Sequence, residues 1–261
     1  MGVELLEDPD NGYQKQTAES FAEETGLPGY RNWDDSELPM DIELGFEYET
    51  YCVNSPMYCQ YLLRKFILRG GKTLHRDLNS EWEAFGMQSN VILVINASGT
   101  GFDDPKYFPT RGQTVVTNMV HVTKTVTRQN KDGTWNFIIP RFFSGGTIVG
   151  GTKQPRDWSL EPDAKTRDTL LAAAQKLEPI ARATSSSKSE NISVIADVVG
   201  RRPTREGGMR IELEQRLDSG RETTVLHTYG AGGRGYEISW GVASEVAKMT
   251  GDFLNALGVK M

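Results

Sequence analysis

The run from Thr224 to Met249, TVLHTYGAGGRGYEISWGVASEVAKM, holds Gly230-Ala-Gly232-Gly-Arg-Gly235, a literal G-x-G-x-x-G. An apolar, β-branched stretch precedes it and a helix-like stretch follows. A phosphate loop has this local look. It also needs a following strand with an acidic residue at its tip, about 20 residues on. Here one helix follows Gly235, with no strand or strand-tip acid after it. Four glycines within six residues either let backbone pass close to something flat or bulky, or make a tight turn. Local sequence leaves both open, so the rest of the chain decides.

With 261 residues there is length for one large domain or two small ones, and for a substantial core. Apolar residues at 38% and charged residues at 25% predict a soluble globular protein. The net charge is −6 and basic residues are scattered, so no nucleic-acid surface is expected. Cys52 and Cys59 lack metal spacing and read as two free thiols in a reducing compartment. His75, His121 and His227 lie far apart in no ligand motif, and no metal site is expected. The start, MGVELLEDPDNGYQKQ, is acidic and does not read as a signal peptide. No apolar run approaches the length of a membrane span, and the final GVKM is not a peroxisomal address. The expectation is a cytoplasmic protein with no membrane partner.

Residues 1–40 read as extended structure with little helix, broken by turns at Pro9–Gly12 and Pro28-Gly29. ELGFEYETYCVN (43–54) alternates and is aromatic-rich, which predicts a strand. SPMYCQYLLRKFILRGG (55–71) predicts a helix, with Ser55 at the N-cap, Pro56 at the first helical position and Gly70-Gly71 at the end. Its apolar positions Met57, Tyr61, Leu62, Phe66 and Leu68 share one face. KTLHRDL (72–78) predicts a short strand. NVILVINASGTG (90–101) predicts a parallel strand covered on both faces, running into a glycine loop. The runs 112–119, 120–128, 135–142 and 146–153 predict an antiparallel meander. A helix follows over 163–182, capped by Asp163, then a polar loop at 184–190 and two more antiparallel strands. Strand 223–229, the glycine turn and a helix over 236–257 close the chain.

Six motifs now stand in order: VINASG (94–99), PTRGQ (109–113), FIIPR (137–141), GGTKQPRDW (150–158), GRRPTREGG (200–208) and HTYGAGGRGYEISWG (227–241). Together they resemble the D-amino-acid oxidases and D-aspartate oxidases, flavoenzymes with a dinucleotide-binding half and an antiparallel substrate half. The resemblance implies an α+β fold: an antiparallel substrate-domain sheet plus an incomplete, Rossmann-like FAD-binding half. It places residues 1–57 and 105–221 in the first, and 58–104 and 222–261 in the second. It implies FAD as cofactor and a small carboxylated amine or amino acid as substrate. The reaction would be oxidative deamination with oxygen, giving an imine and peroxide. Arg202 matches the carboxylate clamp, and a planar guanidinium suits that task. Gly233 matches the residue whose carbonyl meets the substrate amine. Ser98, Gly99, Gly230, Gly232, Gly233, Gly235 and Tyr236 match cofactor contacts, and Leu78 matches an adenine neighbour. The glycine stretch would then wrap the flavin edge, with a helix N-terminus stabilising charge on the reduced ring.

The chain also departs from the family pattern. No strand, G-x-G-x-x-G and helix open it, which argues for weak FAD affinity and leaves VILVIN with an open edge. Self-association as a homo-oligomer, or cover by residues 1–40, is the expected remedy. Phe137 stands where the family has a tyrosine, removing one hydrogen bond worth about 1 kcal/mol. Ala231 and Arg234 replace positions that are often aromatic or histidine. Asp103, Asp104 and Asp157 read as turn residues, and no general base stands out. A flavin oxidase, a repurposed member that has shed FAD and uses the Arg202 pocket for other carboxylates, and a non-functional remnant all remain open.

Overall fold

A computed structural model describes residues 1–182, 192–218 and 220–259, so the 184–190 loop lies outside the described residues. In chain order it forms β1 (Gly2–Leu6), α1 (Asn11–Gln14), α2 (Ala18–Thr25), β2 (Arg31–Asn32), β3 (Leu44–Tyr48) and α3 (Ser55–Leu68). Then come β4 (Val94–Asn96), β5 (Tyr107–Thr117), β6 (Thr125–Gln129), β7 (Trp135–Pro140), β8 (Thr147–Gly150) and β9 (Gln154–Pro155). The chain continues with α4 (Ala164–Ala181), β10 (Val194–Arg205), β11 (Arg210–Asp218), β12 (Arg221–Tyr229) and α5 (Ser239–Ala256). Short 3-10 turns occupy Glu81–Gly86 and Gly232–Arg234. The fold is α+β, in two compact units: residues 1–60, 112–153 and 159–200 form one, and 61–111, 154–158 and 201–261 the other.

The first unit is built on a sheet in which β5, β8, β7, β6, β1, β3 and β2 follow one another. Strands β6, β7 and β8 form the expected meander. The run 120–124 does not join it. Thr123 and Lys124 give their N–H groups to the Ala181 carbonyl at the end of α4, so β5 pairs with β8 instead. Residues 1–40 are also more regular than expected. Val3 and Leu5 are fully buried because β1 inserts between β3 and β6, antiparallel to one and parallel to the other. Thr17 and Ser20 exchange cap hydrogen bonds and start α2, a reciprocal pairing that a scan for strands misses.

One face of this sheet packs on α4. Asp163 caps α4 as predicted, its carboxylate accepting from Thr166 N–H. Leu170, Ala174, Leu177 and Ala181 recur at helical spacing and are buried against Val3, Leu5, Val126, Ile138 and Val149. Each such leucine contributes about 2 kcal/mol. A second cluster joins Leu6, Phe21 and Phe46 with Tyr13, Tyr30 and Tyr48. Glu4 pairs with Phe46 in register, and its carboxylate accepts from the Tyr48 hydroxyl at 3.2 Å. Burial pushes the Glu4 carboxyl up to about 7. A raised folded-state pKa gives stability that is complete below the unfolded value and is lost as pH rises through 7. Glu4 keeps some water contact, so the loss between pH 4.5 and 8 is about 2 kcal/mol. The variant Glu4→Gln is expected to flatten that slope in urea titrations. An unchanged slope would show that Glu4 ionises freely in the fold.

In the second unit β12 pairs antiparallel with β11 and parallel with β4. β11, expected with the substrate-side strands, therefore belongs to this sheet. The 90–101 strand is parallel as predicted but only three residues long, and Ile92 and Ile95 are exposed, so it is not covered on both faces. β4 ends its sheet. Residues 72–78 pair with no described strand. α3 forms where expected, although Asn54 takes the cap position because its carbonyl receives the Tyr58 N–H. The apolar face of α3, from Met57 to Leu68, is exposed. Among the described residues no helix is long and apolar enough to cross a membrane.

Candidate functional site

β12 ends at Tyr229, and the chain turns at Gly230 with φ +85. A side chain there would meet Arg205 Cβ at 2.8 Å in addition to the strained φ, so the turn requires glycine. Gly230 N–H donates to the Gly99 carbonyl at 3.1 Å, which joins the glycine turn to the loop after β4. Gly101 lies flat on the Tyr229 ring, where a Cβ would stand 2.1 Å from a ring carbon. Thr204 on β10 bridges to Ala231 and shares a hydrogen bond with Thr110 at 2.8 Å. Two glycine loops and the end of β10 thus form one assembly within the second unit.

Asp104 is the anchor of that assembly. Its Oδ2 accepts from Arg205 Nε at 2.7 Å and from the Tyr229 hydroxyl at 2.8 Å, and its Oδ1 accepts from Lys106 N–H at 2.9 Å. Burial alone would raise this carboxyl, but Arg205, the Lys106 amide and the Tyr229 hydroxyl outweigh it and hold it at about 2. Arg210 donates to the Tyr229 oxygen at 3.2 Å and to Glu214 at 2.8 Å. Burial pushes the Tyr229 hydroxyl up, so it stays protonated. Asp104 is therefore more than the turn residue the sequence suggested. Its neighbour Asp103 does sit in a turn conformation, with φ +54.

Arg202 is half-buried near the end of β10. Its stem lies beside Gly233, where a Cβ would stand 3.2 Å from Arg202 Cδ, and its Nη1 donates to the Arg111 carbonyl at 3.4 Å. Burial works against its charge and lowers its pKa. Arg202 and Arg205, three apart on a strand, point to opposite faces, which separates the anchor from the clamp candidate.

The structure brings Arg202, Gly233, Gly99, Gly230 and Gly232 together. Ser98 is exposed, and its Oγ accepts from Gly101 N–H at 2.8 Å. Gly235 and Tyr236 lie on the exposed part of the loop. The helix predicted from 236 starts at Ser239, because the 3-10 turn and the Ile238 N–H to Arg234 carbonyl bond come first. No side chain caps that start. Arg234 pairs with Glu237 in solvent. Leu78 is half-buried in the irregular run 72–79. Phe137 belongs to the first unit, where its ring packs on Gly150 and Gly151. Among the described residues no cluster could hold a metal ion.

Sequence alone assigns no role to Asn96, Arg205 or Tyr229, reads His227 only as lying outside any ligand motif, and reads Asp104 as a turn residue. Their one visible signal was position, next to the glycines of each loop. His227 is fully buried, between Asn96 and Glu214.

The family model of FAD dependent oxidoreductases matches residues 8–249. The chain is 43% identical over 252 residues to a D-aspartate oxidase of Talaromyces thermophilus, a match covering 95% of this chain and 65% of that protein. It is 31% identical to a D-amino-acid oxidase of Schizosaccharomyces pombe, over 80% of this chain and 60% of the other. It is 30% identical to human D-aspartate oxidase, over 88% and 64%. The chain thus spans less than two thirds of the length of these relatives. Among solved structures, glycine oxidase from Geobacillus kaustophilus is similar with a TM-score of 0.63 at 17% identity, covering 94% of this chain and 69% of that one. Glycine oxidase from Bacillus cereus gives 0.59 at 13% identity, over 90% and 67%.

Proposed function

This chain belongs to the D-amino-acid oxidase family of FAD-dependent oxidoreductases, and from that premise we propose that it serves the oxidative deamination of a D-amino acid, with D-aspartate the first substrate to test. The single observation that carries this reading is Arg202, a half-buried cation set against Gly233 beside two joined glycine loops. Nothing in the comparisons favours the cofactor-free alternative.

FAD is supported by the glycine assembly. Cβ positions at Gly232 and Gly235 meet nothing closer than 3.8 and 3.7 Å, and α5 begins with no side-chain cap. Backbone can therefore approach a flat ring, and the N–H groups at the start of α5 favour an electron-rich edge. Gly99, Gly230, Gly232, Gly233, Gly235 and Tyr236 would line the ring side, with Ser98 shaping the loop. A bound FAD would supply the hydride acceptor for the substrate carbon, with oxygen as the final oxidant. Arg202 would grip the substrate carboxylate through its planar fork and fix the carbon that reacts. The Gly233 carbonyl would accept from the amine. Phe137 supplies no hydroxyl for that carboxylate.

The test is the visible spectrum of the purified chain, with and without added FAD, followed by peroxide release from D-aspartate. A flavin band near stoichiometric occupancy and peroxide from the D- but not the L-isomer are expected. No band and no thermal shift in excess FAD would remove the oxidase reading for this chain.

A further inference from the structure

Asn96, at the end of β4, is buried with its two side-chain polar atoms facing different partners. Its Oδ1 accepts from Ser98 N–H at 3.1 Å, and its Nδ2 stands 3.3 Å from His227 Nδ1. A backbone N–H can only donate, so the atom facing Ser98 is the amide oxygen. The amide nitrogen is then left to donate to His227, and Nδ1 must be bare. The ring proton therefore sits on Nε2, which faces the Glu214 carboxylate at 3.1 Å. The tautomer of a buried ring and the start of a glycine loop become a single choice.

Asn96 opens the turn at Ser98, and Ser98 Oγ closes it by accepting from Gly101 N–H. Gly99 in the same turn receives the Gly230 N–H, so the shape of one loop passes to the other. A proton on Nδ1 would set two N–H groups against each other. The amide would have to turn over, and its NH2 would then oppose Ser98 N–H.

We propose that Asn96 and His227 are a positioning pair, in which the neutral Nε2–H form of His227 holds the Asn96 amide so that it shapes the Ser98–Gly101 turn and the backbone offered to the flavin. The flavin half rests on the reading given above. His227 faces Arg210 and Glu214 from β11, Glu81 from the 3-10 turn and Asn96 from β4, with Tyr229 edge-on at 5.7 Å. Burial and then Arg210 favour the neutral ring, while Glu214 and Glu81 oppose them.

The experiment uses the full chain without flavin, labelled with 15N, and reads imidazole nitrogen shifts and amide exchange. At pH 7.5 His227 is expected as the neutral Nε2–H tautomer, with Ser98 and Gly101 amides protected. As His227 gains its proton, both amides should exchange about tenfold faster than the ordinary pH dependence predicts. Asn96→Asp offers one oxygen to Ser98 and another to Nδ1. It should leave His227 doubly protonated near neutrality, with Ser98 still protected and the pH-linked release gone. An Nδ1–H tautomer, or amides indifferent to the charge on His227, would overturn the pair. In parallel, the Kd of FAD should rise about tenfold as His227 protonates, and a flat Kd overturns the flavin half. A chain that takes up no FAD at any pH speaks against the flavoprotein reading, while the flavin-free measurements still decide the pair.

Discussion

Replacing Arg202 with leucine is expected to raise the Kd for D-aspartate on the FAD-loaded protein by roughly a hundredfold or more, a loss of about 3 kcal/mol. The guanidinium is held near the end of β10 with its stem against Gly233, in surroundings that disfavour its charge. An apolar replacement removes that cost along with the bond to the Arg111 carbonyl, so the free protein should lose little stability. Binding falls while the melting temperature nearly holds. That contrast separates a ligand clamp from a structural arginine. Lysine keeps the charge but not the fork, and Arg202→Lys should lose about tenfold. Calorimetric titration with D-aspartate, run beside thermal unfolding, checks both variants. Wild-type affinity in Arg202→Leu would end the clamp assignment, and so would a large fall in stability.

Much of the fold was legible because local pattern and tertiary packing agree. Asp163, followed by apolar residues at helical spacing, predicts α4, and the same side chains fill the core. Alternation predicts β6 to β8, and their turns set the pairing. Failures came where a partner far along the chain decides. Residues 120–124 have strand-like composition, but the Ala181 carbonyl takes two of their N–H groups. Residues 72–78 look extended and find no described strand to pair with. The β1 strand is short and follows no turn signal, so its place between β3 and β6 comes from long-range register.

The site divides the same way. The glycines announce themselves because positive φ and close approach leave few other choices. Their anchors do not. Asp104 and Tyr229 are 125 positions apart, and nothing in either neighbourhood says that one carboxylate will hold a tyrosine and an arginine together. Asn96 and His227 are joined across 131 positions, from one strand to its parallel neighbour. Polar partners chosen by sheet register are invisible to local spacing.

The largest stability effect is expected at Asp104, where Asn should cost about 4 kcal/mol. The carboxylate accepts on both oxygens: Arg205 and Tyr229 on one, the Lys106 amide on the other. Asparagine has a single acceptor. With its oxygen toward Arg205 and Tyr229, its NH2 meets the Lys106 N–H. With the amide turned over, its NH2 meets Arg205 and Tyr229. Either way a donor faces a donor in a buried place, and the Arg205 cation loses its counter-charge. The wild-type acid limb follows from the same contacts. The Asp104 carboxyl is held at about 2 against an ordinary value of 3.8, so its stability is complete above 3.8 and is lost as pH falls through 2. That contribution is about 2 kcal/mol, and Asp104→Asn should lack it. Urea unfolding followed by tryptophan fluorescence at pH 7 and pH 2.5 reads both effects. A loss under 1 kcal/mol at pH 7, with the acid limb intact, would mean that the loops hold their shape without the anchor. The joined turns at Gly99 and Gly230 would then be fixed by backbone alone. A full loss means that the surface proposed to meet the flavin depends on one carboxylate.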